Sequence, residues 1–188
     1  MVHYRLTLER ELRELLGTSR DALIVARYYG FDGRGGSSLQ AVGNEIGVTR
    51  ERVRQIVSAV CESQAVRLAV SPTLDRTIAF VANRMPAAAE EIEAGLRSRR
   101  LTSGLFRLEG VIKAAAMLGR RLPFSIVEIK GERLVYPRNG PSANKIVRMA
   151  RRLICRWGIA TLSDVVAEVK KREYGTSDRK LVASALVR

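Results

Sequence analysis

Between Ser38 and Ile56 two short apolar periods, Leu39-Val42-Ile46 and Val53-Ile56, are separated only by Gly47, Val48 and Thr49. Each period alone is too short to hold a helix in water. A connection that brief leaves one solution, two helices crossing and burying their stripes on each other, with Val48 between them. Gly47 supplies the positive φ at the turn, which a side chain resists. Thr49 caps the second helix, with Glu51, Arg52 and Val53 in its first turn. Ala41 and Gly43 are small where the helices are expected to approach. The pattern over Ser38–Leu68 is that of a helix-turn-helix. With the apolar set assigned inward, Arg50, Glu51, Arg54 and Gln55 point outward at the start of the second helix, the part that enters the major groove in this motif class. Arg can grip guanine O6 and N7, Gln can pair with adenine, and Glu can accept from cytosine N4. Ser38, Thr49 and Arg52 are placed for DNA backbone phosphates, which fix register without carrying sequence information.

The rest of the chain also reads as helix. Residues 4–16 place Leu6, Leu8, Leu12, Leu15 and Leu16 on one side, with Gly17 as a stop, and Thr18 or Ser19 can cap a second helix carrying Leu23, Ile24 and Ala26. Asp32 to Ser38 is glycine-rich and reads as a loop. From Pro72 come helices around Leu74-Ile78-Val81, from about Ala87 with Pro86 at its first turn, and from Leu105 to Leu118. The one clear β signal follows, Phe124–Ile129 and Arg133–Tyr136 around Lys130-Gly131-Glu132. Three helices and a hairpin are the order of a winged helix. After a turn-rich linker, Pro137–Pro141, helices are expected at 142–157, at 161–171 and from Ser177 onward, and the pattern runs to Arg188 with no second hairpin. The expected fold class is therefore mainly α, with tandem helix-turn-helix and winged-helix-like modules and one β-hairpin. The modules are 1–70, 72–137 with its hairpin at 123–136, and 141–188, a third helical, winged-helix-like module expected to be incomplete, either cut short or followed by a wing.

Charge points the same way. Thirty-three Lys and Arg against nineteen Asp and Glu give +14 over 188 residues, a surplus that suits a polyanionic partner through counterion release. Within 138–163, which contains no acid, Lys145, Arg148, Arg151, Arg152 and Arg156 form a basic helix. Lys145, Arg148 and Arg152 are read as further DNA backbone contacts, against the alternative of a solvated face neutralised by Asp164, Glu168 and Glu173. Trp157 is expected to cap the core of the third module. Cys61 and Cys155 lie far apart among apolar neighbours and are expected to be buried, reduced thiols. With His3 as the single histidine they assemble no zinc set, so no metal or cofactor is expected. The N-terminus is not a secretory signal and no apolar run is long enough to cross a bilayer, which places the chain in the cytoplasm.

The stretch from Arg27-Tyr28-Tyr29-Gly30-Phe31-Asp32-Gly33 through Thr49-Arg50-Glu51-Arg52-Val53-Arg54-Gln55-Ile56 resembles region 4 of primary bacterial sigma factors. The resemblance spans about residues 10–68. It implies a bacterial transcription protein in which Arg50, Glu51, Arg54 and Gln55 read promoter bases, Arg52 touches the backbone, and RNA polymerase is a second partner. Sigma factors continue with a basic helix end, whereas Val60-Cys61-Glu62-Ser63-Gln64-Ala65-Val66 is nearly neutral. Nor does the chain carry the core-binding and promoter-melting region. The expectation is the reader without the initiation machinery.

The helix from Leu105 carries few charges, Arg107, Glu109 and Lys113, and its apolar surface suggests a spacer or a homodimer contact. Glu128-Ile129-Lys130 matches half of a nuclease motif, but a partner acid on a preceding strand is missing and the wing reading takes precedence. No catalytic residues are expected and the chain is not read as an enzyme. The leading expectation is a sequence-specific double-stranded DNA-binding protein that regulates transcription. The alternatives are the DNA-recognition part of a nuclease or defence system, and an RNA polymerase-binding factor.

Overall fold

The computed structural model describes residues 6–63, 69–129, 131–138, 143–171 and 179–186. The expected helix-turn-helix tail at 64–68, Lys130, most of the Pro137–Pro141 linker, Glu173, Ser177 and the last two residues lie outside them. The described chain is mainly α, as expected. Its elements are α1 (Leu8–Leu16), α2 (Arg20–Tyr29), α3 (Leu39–Ile46), α4 (Arg50–Glu62), α5 (Pro72–Ala82), β1 (Ala87–Ala88), α6 (Ala89–Ser98), α7 (Leu108–Met117), β2 (Phe124–Ile129), β3 (Glu132–Pro137), α8 (Ala143–Trp157), α9 (Leu162–Lys171) and α10 (Arg179–Leu186). No described helix is long and apolar enough to cross a membrane.

The contacts divide the chain into two compact units, residues 1–80 with 93–122 and residues 81–92 with 123–188. This division cuts across the three modules read from sequence. The segment 72–137 contributes to both units: most of α5, the end of α6 and α7 belong to the first, and β1, the start of α6 and the hairpin to the second.

In the first unit, α1 buries Leu8 and Leu12 as its pattern predicts, but it also buries Glu9 and Glu11. Both acids accept from backbone donors, Glu11 through both oxygens and Glu9 through Oε1 alone. Glu11 accepts the Thr73 N–H with both oxygens, at 3.1 and 2.8 Å, at the start of α5. Glu9 accepts from Ser103 and Gly104 at 2.7 and 3.0 Å. A buried carboxylate is tolerated when charge-assisted hydrogen bonds replace its water. Glu93 does the same for α7, taking the Leu108 N–H at 3.0 Å where Arg107 offers no capping side chain.

The glycine-rich segment after α2 is a packing junction more than a spacer. Leu105 donates its N–H to the Gly33 carbonyl at 2.7 Å, and a Cβ on Gly104 would stand 2.6 Å from that same oxygen. Above this contact Phe31 stacks on Phe106, centroids 6.2 Å apart and rings nearly parallel at 6°. Helix α7 packs along the junction with Leu108, Val111, Ala114, Ala115 and Met117 buried. Its Gly110 lies so near Tyr29 that a Cβ would be 3.2 Å from the Tyr29 carbonyl. The apolar residues of α7 therefore face its own unit.

In the second unit a three-stranded antiparallel sheet has the order β1-β3-β2. The hairpin is where the sequence placed it, with Phe124 opposite Pro137 and Ile129 opposite Glu132. Ala87 and Ala88, expected at the head of a helix with Pro86 in its first turn, instead pair with Val135 and Leu134. The Met85–Pro86 peptide is cis, and the helix begins only at Ala89. Leu134 and Tyr136 of β3 join Ile146, Met149 and Ala150 of α8, Val165 and Val169 of α9, and Val182 and Ala185 of α10 in one core. The hairpin thus closes the core of the third helical group. Arg133 anchors the sheet to Glu90 at 2.8 and 2.9 Å.

Two further expectations are corrected by this packing. Trp157 does not cap the core. It is 68% exposed, with the Arg156 guanidinium 5.2 Å from its ring centroid. Cys155 is exposed and Cys61 half-buried, since Cys155 lies off the Ile146-Met149-Ala150 stripe of α8.

Candidate nucleic-acid interface

The α3–α4 pair is built from local signals that the sequence displays. Ser38 caps α3 by accepting the Ala41 N–H at 3.1 Å, and Thr49 caps α4 by accepting the Arg52 N–H at 3.2 Å. Gly47 ends α3 at φ 74°. A Cβ on Gly43 would fall 2.6 Å from the Val48 carbonyl oxygen, so the chain turns against the α3 backbone itself. Ala41 does not share that role, because it is exposed. Val42, Val53, Ile56 and Val57 are buried, together with Ile24 and Val25 of α2. Leu23, expected among the apolar positions of α2, is 58% exposed.

Two arginines from α2 fix the pair from behind. Arg20 donates to the Ile46 carbonyl at 2.7 Å, at the carbonyl end of α3. Arg27 holds Glu45 of α3 and Asp32 of the following loop. The guanidinium keeps the Glu45 carboxyl below the usual carboxylate range, chiefly through its hydrogen bonds.

With Val53, Ile56 and Val57 turned in, Arg50, Glu51, Arg54 and Gln55 are all exposed on the first turns of α4, as are Ser38, Thr49 and Arg52. Every residue assigned to this surface from sequence is thus available to a partner. The residues are not independent. Glu51 accepts from Arg54 Nε at 2.9 Å and Nη2 at 2.6 Å, and from the Gln55 amide at 3.4 Å. The bonds from Arg54, first, and Gln55 hold the Glu51 carboxyl down, and Glu51 in turn raises Arg54. Three side chains of different hydrogen-bonding character, a cation, an anion and an amide, are therefore presented as one ordered cluster. Ser38 and Thr49 use their oxygens as acceptors for capping, which leaves each hydroxyl proton to donate. Sequence reasoning did not reveal the mutual pairing, although a Glu three residues before an Arg on a helix face is its signal.

On the second unit, Lys145, Arg148 and Arg152 are exposed on α8, with Arg151 and Arg156. Arg148, Arg151 and Arg152 occupy the side of the helix away from Ile146, Met149 and Ala150. Of the acids proposed to neutralise them, Asp164 is occupied at its own helix start, accepting from Thr161 N–H and Oγ at 2.8 and 2.7 Å. Among the described residues no group of histidines, cysteines and acids is arranged to hold a metal ion. The chain matches no protein-family model, no curated protein and no solved structure.

Proposed function

We propose that this chain is a sequence-specific double-stranded DNA-binding protein that regulates transcription, with α3–α4 as a helix-turn-helix and α4 as the helix that enters the major groove. The observation that carries this reading is the clustering of Arg50, Glu51, Arg54 and Gln55, all exposed, on the first turns of a helix whose opposite face is buried. Arg54 and Gln55 match guanine and adenine edges, and Arg50 and Glu51 extend the same set. Ser38, Thr49 and Arg52 supply backbone contacts. Lys145, Arg148 and Arg152 on α8 offer a second phosphate-binding surface, in keeping with the +14 charge. The resemblance of residues 10–68 to sigma factor region 4 supports the same assignment. The order α5-β1-α6-α7-β2-β3 with sheet order β1-β3-β2 supports reading 72–137 as a winged-helix arrangement. In that arrangement α7 would be the reading helix, but here its apolar face is buried and it acts as scaffold.

Selection from random duplexes tests the proposal. It should enrich one defined motif, bound with an affinity that falls steeply with salt. Arg54→Ala and Gln55→Ala should each lose about 1–3 kcal/mol of discrimination at a single base pair. Failure to enrich any sequence, with retention on immobilised RNA polymerase, would replace this reading with that of a polymerase-binding factor.

A further inference from the structure

A cavity of about 490 Å³, which shares Ser38 with the surface assigned to DNA, is lined by Tyr28, Tyr29, Gly35, Gly36, Ser37 and Ser38 and by Arg107, Glu109, Gly110 and Lys113 of α7 and its N-cap. We propose that this cavity seats a phosphodiester of the DNA strand flanking the groove that α4 reads, with Arg107 and Lys113 as its cations. The inference rests on the DNA-binding reading and adds a contact from a helix that the sequence assigned to protein packing alone.

The chemistry of the lining fits an anion carried on a large partner. Arg107 and Lys113 are exposed, and among the described residues neither is in an ion pair. Against these two cations the lining holds one acid, Glu109. Lys113 reaches over the Tyr29 ring, its Nζ 5.9 Å from the centroid. Arg107 crosses the glycine segment, its Nε 3.7 Å from where a Gly35 Cβ would be. With no side chains on Gly35 and Gly36 a phosphate can approach the backbone there. Ser38 keeps a hydroxyl proton to donate, since its oxygen already caps α3. The choice of DNA over a small free anion comes from position. Ser38 begins the first helix of the pair, and in this motif class that helix crosses the sugar-phosphate backbone while the second lies in the groove. The packing of α7 on Tyr29 and Phe106 places its cations beside that crossing point.

The test is the salt dependence of binding to the selected duplex, for wild type and for the double variant Arg107→Gln/Lys113→Gln. Loss of one neutralised phosphate should reduce the slope of log K against log salt by about 0.9. Affinity should fall uniformly, with the order of base preferences unchanged. Lys113→Arg should keep the wild-type slope, and a far-ultraviolet thermal melt verifies that each variant is folded. An unchanged slope in the folded double variant overturns the phosphate seat while leaving DNA reading by α4 intact. If wild type enriches no duplex, the DNA reading falls and the seat falls with it. Competition by inorganic phosphate at constant ionic strength, at concentrations too low to compete at Arg54, would identify a small-anion site and also overturn the proposal.

Discussion

Arg27 grips Glu45 with two parallel hydrogen bonds, Nε to Oε2 and Nη2 to Oε1, each 2.9 Å long, and spends its remaining nitrogen on Asp32 at 2.9 Å. One side chain of α2 thereby ties down α3 and the loop that leads into it. The arrangement has a pH signature. Because the folded protein holds the Glu45 carboxyl below its ordinary value, the pair contributes its full stabilisation above that ordinary value. The contribution is lost as pH falls through the lowered one. Wild type should therefore lose more thermal stability than Glu45→Gln between neutral pH and about pH 3. Parallel loss in the two proteins would count against the pair as a stabilising contact.

Both groups of the Glu51–Arg54 pair are exposed, so under the proposed DNA reading their pairing bears on specificity more than on stability. Glu51→Gln should leave the melting temperature nearly unchanged. It should weaken base preference at the position read by Arg54, as measured by competition between duplexes differing at one base pair. The depressed Glu51 carboxyl stays ionised into mildly acidic solution, so that preference in wild type should hold steady until pH passes below the usual carboxylate range.

Two glycines of the α3–α4 pair, one inside α3 and one at its end, should respond differently to alanine. At Gly43 helix propensity alone favours alanine by about 1 kcal/mol, but the new methyl would meet the Val48 carbonyl at 2.6 Å. Gly43→Ala should be destabilising by urea denaturation and should weaken DNA binding in step. Gly47 has open space around it and φ 74°, so Gly47→Ala should cost only its backbone strain, about 1–2 kcal/mol.

Glu11 tests whether buried acids hold the first unit together. Glu11→Gln keeps the shape but exchanges one acceptor oxygen for an N–H group facing the Thr73 N–H. A loss of about 1–3 kcal/mol in urea denaturation is expected. A change within error would mean that the two bonds to Thr73 contribute little net stability.

The α3–α4 pair could be read from sequence because its determinants are local. Caps at Ser38 and Thr49, a left-handed glycine at 47 and apolar residues spaced at the helical period all act within a few positions. The partners of Glu9 stand 94 and 95 residues away at Ser103 and Gly104, and no pattern in 4–16 announces them. An amphipathic stripe gives every charge to solvent by default, and here two acids are drawn inward by backbone N–H groups of a distant helix start and a distant loop. The hairpin was equally visible, since alternation is local. Its membership of the α8–α10 core was not, because residues that face inward on a strand do not say which core receives them. The same limit explains α7. Its apolar residues mark a packing surface, but no local pattern says that Gly110 lies against the Tyr29 carbonyl and the Phe106 ring.

The close approach of Gly33 and Gly104 has a consequence for transplanting α3 and α4. Residues 6–63 look like a portable cassette, yet cutting there would strip the Gly33 carbonyl of its donor from Leu105 and bare the face of Phe31. A functional graft should need the segment through Leu118 as well. Chimaeras made at the earlier boundary should precipitate or bind weakly, however faithfully the sequence of α4 is preserved.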